Sequence, residues 1–192
     1  AAGVLAQTVD GALGMAYGVT ANSLLMANGV PPAAATTAVH LSEVFTTGFS
    51  GFSHYRVGNF NRTLFLRLLI PGSIGAVAGA YLVSQIDGKL LKPWVSGYLL
   101  IMGVFILFKA WRSYQQKTAK ATPKEVTAAK IAPLALLGGF VDSVGGGGWG
   151  PVVTTTLLGR GHAPKATIGS VNAAEFFLTI ASATAFALLI GF

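Results

Sequence analysis

The sequence predicts an all-α integral membrane protein, a polytopic helical bundle of two repeats in which the second is inverted relative to the first. Each repeat opens with a segment broken by glycine, which is either re-entrant or discontinuous. Three observations lead to this fold class. The 192 residues are 53% hydrophobic and only 10% charged, whereas an average globular domain is about 25% charged. Several apolar runs are long enough to cross a bilayer, and the chain matches itself at an offset of 132 residues.

Four apolar runs have the length of a membrane span, which takes about 20 apolar residues. They cover residues 33–54, 64–86, 93–111 and 165–192. Two further apolar segments, 3–28 and 131–159, contain several glycines. Each glycine weakens a helix by about 1 kcal/mol relative to alanine. These two segments are therefore predicted to be broken helices.

A polar stretch, residues 112–130, separates two halves of the chain. Together with Lys109 it carries six of the 13 basic residues, as a cytoplasmic loop between spans does. The net charge of +7 is therefore explained without nucleic-acid binding. We predict a first transmembrane repeat (1–111), a basic cytoplasmic linker (112–130) and a second transmembrane repeat (131–192).

The internal repeat places rare residues at matching positions. At the offset of 132, Asp10 falls on Asp142 and Glu43 falls on Glu175, so four of the six acidic residues form two matched pairs. Further identities include Gly14 with Gly146, Gly18 with Gly150, Gly29 with Gly161 and Pro32 with Pro164. Broken segments at matching places in two repeats are the best sequence indication of a transporter's central site.

The distribution of basic residues favours inverted repeats. If both broken segments span the membrane, the 13 Lys and Arg residues divide 9 to 4 between the two faces; if both are re-entrant, they divide 11 to 2. The positive-inside rule prefers the second division, in which each full repeat has an odd number of spans. Equivalents of residues 64–111 would lie at 196–243. We expect either that the chain lacks these last two spans or that another chain supplies them. The second alternative includes a homo-oligomer.

Two matched signatures resemble those of the sulfite exporter TauE/SafE family of bacterial membrane transporters. The second half contains D-S-V-G-G-G-G-W-G-P and L-L-G-R-G-H-A-P-K-A-T, and the first half contains D-G-A-L-G-M-A-Y-G and N-G-V-P-P-A-A-A-T-T. The resemblance covers almost the whole chain. It implies transport of sulfur-containing anions such as sulfite, sulfoacetate or related organic acids. The first copy has fewer glycines, which argues against strict equivalence of the two sites.

The glycine-rich breaks are the predicted substrate site. Their free N–H groups, and a half-helix beginning near Pro151, would present a positive dipole end to an anion; close packing of small residues is the alternative. Threonine hydroxyls nearby suit an oxyanion, although they also bond to their own helix, and the aromatic residues would wall the cavity or lie at the membrane interface. The predicted substrate-binding residues are Gly145, Gly146, Gly147, Gly148, Trp149, Gly150, Thr154 and Thr155 in the second copy, and Gly14, Tyr17, Gly18 and Asn22 in the first.

Two carboxylates lie within predicted spans. His40 precedes Glu43 by three residues and Asn172 precedes Glu175 by three, so each pair shares a helix face. An ionisable group at membrane depth is a functional candidate, and burial favours the protonated acid that a proton carrier needs. The alternative is a brace, in which each glutamate accepts hydrogen bonds from N–H groups of a broken segment.

The remaining acidic pair precedes the two breaks. Asp10 and Asp142 are predicted to cap free N–H groups there rather than to contact the substrate, since a carboxylate repels an anion. The three histidines lack metal-ligand spacing and the chain has no cysteine. The sequence therefore predicts no metal site, no cofactor and no enzymatic activity.

Together these features predict a multi-pass secondary transporter of the cell inner membrane. It would move a small sulfur-containing anion by rocking one repeat against the other, with proton coupling through Glu43 or Glu175 as a hypothesis. Its expected partners are the small anionic substrate and the lipid bilayer, and not nucleic acid. A passive anion channel and a non-transporting membrane subunit or sensor remain as alternatives.

Overall fold

The computed structural model describes residues 2–13, 15–115 and 128–190, and every regular element among them is helical. The elements are α1 (Ala2–Leu13), α2 (Tyr17–Ala27), α3 (Pro32–Arg56), α4 (Arg62–Gln85), α5 (Gly88–Gln115), α6 (Ala128–Gly145), a π-helical turn (Gly150–Thr154) that continues into α7 (Thr155–Gly159), and α8 (Pro164–Ile190). Gly14 and most of the predicted linker lie outside the described residues. The division into two repeats and a linker therefore stays a prediction.

Each of the four predicted apolar runs corresponds to one long helix. Three of the described helices are long and apolar enough to cross a membrane: α4, the Gly88–Arg112 part of α5, and α8. Helix α3 has 25 residues, about 37 Å at 1.5 Å per residue, but its serine, threonine, histidine and glutamate residues make it more polar. Membrane crossing by α3 stays a prediction.

Helix α5 begins five residues before the predicted run, at Gly88 rather than residue 93. Asp87 starts it, because its carboxylate accepts a hydrogen bond from the backbone N–H of Lys89 at 2.7 Å. An acidic residue there satisfies a free N–H of the first turn. Because Lys89 and Lys92 are charged, the first residues of α5 do not belong to the apolar run that predicts the helix.

The outer surface of the bundle is apolar, and its helix contacts are made by small residues. Phe45 and Phe49 of α3 are 79% and 78% exposed, and Trp94 of α5 is 80% exposed. Inside, a Cβ atom added at Gly79 of α4 would lie 2.5 Å from the carbonyl oxygen of Phe140 in α6. Helices that approach this closely through glycine, with large apolar residues outside, are typical of proteins in lipid.

The two broken segments meet in the centre of the bundle. Helix α4 packs against α6 and α8, α3 packs against α8, and α1 packs against α2. The first break, at the start of α2, touches the second break closely: a Cβ atom added at Gly18 would lie 2.6 Å from Cα of Gly147. The two breaks therefore share one small volume, with α3 and α8 beside it.

Helices α3 and α8, which correspond at the offset of 132, run antiparallel. Nδ1 of His40 lies 2.8 Å from Oγ of Ser182, and the Asn172 amide donates to Oγ of Ser50 at 2.7 Å. At the offset of 132, Ser182 is the equivalent of Ser50 and Asn172 is the equivalent of His40. Each of the two helices therefore contacts the other through the same two positions, 40 and 50.

The ends of the broken segments also correspond. Helices α2 and α7 are followed by Gly29 and Gly161, whose φ angles are 88° and 86°. These left-handed conformations suit glycine, which has no Cβ atom to clash. In both halves a proline then begins the next helix, Pro32 in α3 and Pro164 in α8.

Candidate functional site

A cavity of about 430 Å³ lies between the two broken segments, α3 and α8. Each half of the chain supplies ten of its lining residues. The lining combines backbone of the glycine-rich breaks with polar side chains of the two long helices.

Four carboxylates line this cavity, those of Asp10, Glu43, Asp142 and Glu175. They are four of the six acidic residues of the chain. Among the described residues, no lysine or arginine lines it. A cavity of this charge repels an anion unless protons or a cation compensate the carboxylates.

The two aspartates hold the start of the second helical piece in each break. Oδ1 of Asp142 accepts hydrogen bonds from the backbone N–H groups of Gly148, at 2.7 Å, and Trp149, at 3.0 Å. Oδ1 of Asp10 accepts from Ala16 at 2.7 Å and from Tyr17 at 3.1 Å. The two sets of donors correspond at the offset of 132.

These aspartate contacts change the expected role of the helix ends. The sequence predicts that N–H groups at the second break are available to an anion. In the structure, the N–H groups of Gly148 and Trp149 donate to the carboxylate of Asp142. The negative charge of Asp142 also offsets the positive end of the helix dipole. An anion in the cavity must therefore depend largely on other donors.

The glutamates differ from the predicted brace. Among the described residues, no N–H or O–H group donates to the carboxylate of Glu43 or Glu175, and Oε2 of Glu43 is buried without a partner. The bracing contacts are made instead by Asp10 and Asp142, which lie nearer to the breaks in sequence. Both glutamates line the cavity.

Most of the predicted site residues line the cavity. They are Tyr17, Gly18 and Glu43 from the first half, and Gly147, Gly148, Gly150, Thr154, Asn172 and Glu175 from the second, together with the two capping aspartates. Gly14 lies outside the described residues. Six predicted residues are placed outside the lining: Asn22, His40, Gly145, Gly146, Trp149 and Thr155.

Trp149 is the largest difference between the predicted and the observed site. Its side chain is fully buried in a core with residues of α4, α6 and α8, and its indole N–H donates to the carbonyl of Val171 at 3.2 Å. The equivalent Tyr17 does line the cavity. The Thr155 hydroxyl donates to the carbonyl of Pro151 within its own helix, which leaves it no hydrogen for a substrate.

Asn22, Gly145 and Gly146 shape the second break rather than the cavity wall. The Asn22 amide donates to the carbonyl of Gly145 at 2.5 Å. Gly146 has a φ of 64°, and a Cβ atom added to it would lie 2.5 Å from Nδ2 of Asn22. Asn22 therefore occupies the space that the missing side chain of Gly146 leaves.

Three hydroxyl residues of α3 line the cavity although they are not among the predicted site residues. Thr46, Thr47 and Ser50 line the cavity beside Glu43. They follow Glu43 by three, four and seven residues, the spacing of one helix face. This polar stripe within an otherwise apolar run was the signal that could have identified them.

The fold and this cavity define a polytopic helical membrane protein with a cavity between the α1–α2 junction and the junction that follows α6. Comparison with known proteins agrees with this class. A family model described as "Sulfite exporter TauE/SafE" matches residues 1–192. The chain belongs to this family of membrane transporters, as its two signatures indicated.

Two curated relatives support the same class. The chain is 43% identical over 190 residues to "Probable membrane transporter protein YtnM" of Bacillus subtilis (strain 168), covering 98% of this chain and 63% of that protein. It is 28% identical over 149 residues to "Probable membrane transporter protein ORF9" of Sinorhizobium sp., covering 78% of this chain and 55% of that protein. The chain thus spans less than two thirds of either relative's length. No solved structure matches it.

Proposed function

We infer that this protein is a secondary transporter for a small sulfur-containing anion such as sulfite or an organosulfonate. The observation that carries the proposal is the polar cavity enclosed by the two broken segments. At membrane depth, non-helical backbone is tolerated only where it is buried in protein or lines such a cavity. The volume of about 430 Å³ falls within the range of about 300–1,000 Å³ for small-molecule sites.

Three side chains are suited to donate hydrogen bonds to the anion. The Ser50 oxygen accepts from Asn172, which leaves the Ser50 hydroxyl hydrogen and the second amide hydrogen of Asn172 free. Thr154 also lines the cavity. Oxyanions accept several hydrogen bonds, and donors from both halves would respond to a movement between the halves.

The inverted relation of the repeats is part of this proposal. The antiparallel packing of α3 and α8, with reciprocal contacts at equivalent positions, supports it, since equivalent spans that run in opposite directions belong to inverted repeats. Rocking of one repeat against the other would then open the cavity to each face in turn.

Proton coupling through Glu43 or Glu175 completes the proposal. The cavity contains four carboxylates, so an anion enters more readily when at least one is neutral. Glu175 lies on the same helix face as the donor Asn172 and accepts no hydrogen bond from the described residues. Its protonation would therefore be sensed directly by the bound anion.

The test is uptake of labelled sulfite, and of a panel of organosulfonates, by proteoliposomes with and without a pH gradient. We expect saturable uptake that the gradient drives and that substrate on the opposite side accelerates. Uptake that responds to neither would indicate a passive channel. Absence of uptake and of binding across the panel, with folded protein, would contradict the transporter proposal.

Two variants with one control assign the residues. Glu175→Gln is expected to abolish gradient-driven uptake and to leave substrate binding intact; loss of binding as well would indicate a structural role. Thr154→Val should raise KM, because it removes a donor from the cavity. Thr8→Val is the matched control, since the Thr8 hydroxyl is exposed and bonds to its own helix.

A further inference from the structure

A cluster of three ionisable side chains lies beside the cavity, and we call it the histidine cluster: His40, Glu43 and Asp142. One ligand atom from each lies within 4.8 Å of the others. Their exposed fractions are 0%, 5% and 1%. Three groups of this kind are rarely buried together without a partner that compensates their charge.

Buried polar atoms of all three residues have no hydrogen-bond partner. Nε2 of His40, Oε2 of Glu43 and Oδ2 of Asp142 are all buried and unpaired, as is Oδ1 of the neighbouring Asn22. Nε2 of His40 and Oδ2 of Asp142 lie 3.3 Å apart, within ion-pair distance, and neither makes a hydrogen bond to another group. Their lone pairs are therefore available to a third atom.

The outer atoms of His40 and Asp142 are held in place. Nδ1 of His40 lies 2.8 Å from Oγ of Ser182, and Ser182 lies 2.8 Å from Oγ of Ser143. Oδ1 of Asp142 accepts from two backbone N–H groups. Metal ligands are characteristically oriented in this way, with the second nitrogen or oxygen bonded to the protein.

We propose that the histidine cluster binds one divalent transition-metal cation, of the type of Zn²⁺ or Co²⁺. Such ions accept imidazole nitrogen and carboxylate oxygen at about 2.0–2.2 Å. In a tetrahedral site these bond lengths separate two ligand atoms by about 3.4 Å, close to the 3.3 Å between His40 and Asp142. Glu43 would move toward them by about an ångström.

The proposed site is open on one side. Glu43 and Asp142 line the cavity, whereas His40 does not. A cation held by three protein ligands keeps a fourth position for water or a bound molecule, and here that position would face the cavity. The cavity is also the entry path for the ion.

The residues equivalent to the histidine cluster, which likewise come from both halves of the chain, lack the imidazole. At the offset of 132, His40, Glu43 and Asp142 correspond to Asn172, Glu175 and Asp10. The Asn172 amide donates to Ser50 and presents no lone pair of comparable basicity to a metal. The two halves thus supply one metal site and one site of hydrogen-bond donors.

A bound cation would also explain how an anion enters a cavity lined by four carboxylates. It would neutralise two of them; of the other two, Asp10 caps the first break and Glu175 would carry a proton. This consequence depends on the proposed transport function, whereas metal binding itself does not. A metal titration without substrate therefore separates the two.

The experiment is a titration of metal-free protein in detergent, purified with a histidine-free tag. Co²⁺ should bind once per chain with the visible absorption of a tetrahedral site, and Zn²⁺ should displace it. X-ray absorption of the Zn²⁺ form should show one imidazole and oxygen ligands at about 2.0–2.1 Å. Folded wild-type protein that shows neither signal at millimolar metal would overturn the proposal.

Variants locate the site. Loss of a partner behind a metal ligand costs about 10–100-fold in affinity, so Ser182→Ala should weaken Co²⁺ binding by that factor and His40→Gln by about 100-fold or more. His54→Gln, also on α3, is the matched control and should bind as wild type does. If His54→Gln abolishes the signal while His40→Gln keeps it, the site lies elsewhere. If His40→Gln does not fold, the X-ray absorption spectrum of the wild-type protein and the Co²⁺ affinity of Ser182→Ala test the site instead.

Discussion

The close approach of the two broken segments at Gly18 can be tested with one methyl group. A Cβ atom added at Gly18 would lie 2.5 Å from the carbonyl oxygen of Gly146 and 2.6 Å from Cα of Gly147. It would also lie 2.9 Å from Oε1 of Glu43. Two of these three neighbours are backbone atoms and cannot rotate away. Gly18→Ala therefore forces the two breaks apart.

The expected cost follows from two opposing terms. Overpacking of a filled site destabilises a protein by about 1–3 kcal/mol. The opposing term is helix propensity, because Gly18 is the second residue of α2. Alanine is up to about 1 kcal/mol more favourable than glycine in a helix. Because most of the clashing atoms are backbone, the upper part of the overpacking range, about 2–3 kcal/mol, applies, and subtracting about 1 kcal/mol for alanine leaves a net loss of about 1–2 kcal/mol. For a chain of this size, each kcal/mol shifts Tm by about 2–4 °C, so Tm should fall by about 2–8 °C.

The matched control is Gly97→Ala in α5. No atom lies within 4 Å of a Cβ atom added there, so only the helix term remains and Tm should rise by about 2–4 °C. Both variants are measured by thermal unfolding in the same detergent and metal-free buffer. If Gly18→Ala is as stable as wild type or Gly97→Ala, the two breaks are not in contact and the central site is built differently.

Three further predictions concern the same site. Trp149→Phe removes the hydrogen bond to the carbonyl of Val171 and should cost about 1 kcal/mol without changing KM for the transported anion; a raised KM would place the indole in the cavity after all. In metal-free buffer, Asp142→Asn should lower Tm more than Asp10→Asn, because hydrogen bonds to a charged acceptor contribute about 1.5–3 kcal/mol against about 0.5–1.5 for a neutral one and Asp142 is only 1% exposed; equal shifts would contradict this difference. Gly146→Ala should lower Tm by at least about 2 °C, since an L-residue at its φ of 64° costs about 1–2 kcal/mol; an unchanged Tm would mean that the break can relax.

The helices themselves were predictable because the information for them is local. Apolar runs of span length, prolines at helix starts and glycines at the breaks all act within a few residues along the chain. The fixed offset also identified equivalent positions before any contact was known. The polarity of α3 is the exception: it has the length of a span but is not among the three apolar candidates.

The cavity was predictable only in part, because equivalent positions in the sequence are not equivalent in their surroundings. Tyr17 and Trp149 correspond at the offset of 132, yet Tyr17 lines the cavity and Trp149 is in the core. Helix α4 packs against α6, and Gly72 of α4 makes room for the indole. Which aromatic residue faces the cavity is therefore set by a helix outside the broken segments.

The sequence by itself determined the class of protein, the approximate positions of the long helices, and the four acidic residues that line the cavity. Tertiary structure alone decided which of those residues meet. His40 and Asp142 are about a hundred residues apart in the chain, and they come together because α3 crosses the second break. Composition and periodicity report the surroundings of a residue along its own helix. The histidine cluster depends on how two antiparallel helices and two breaks cross, and that arrangement is a property of the packed bundle.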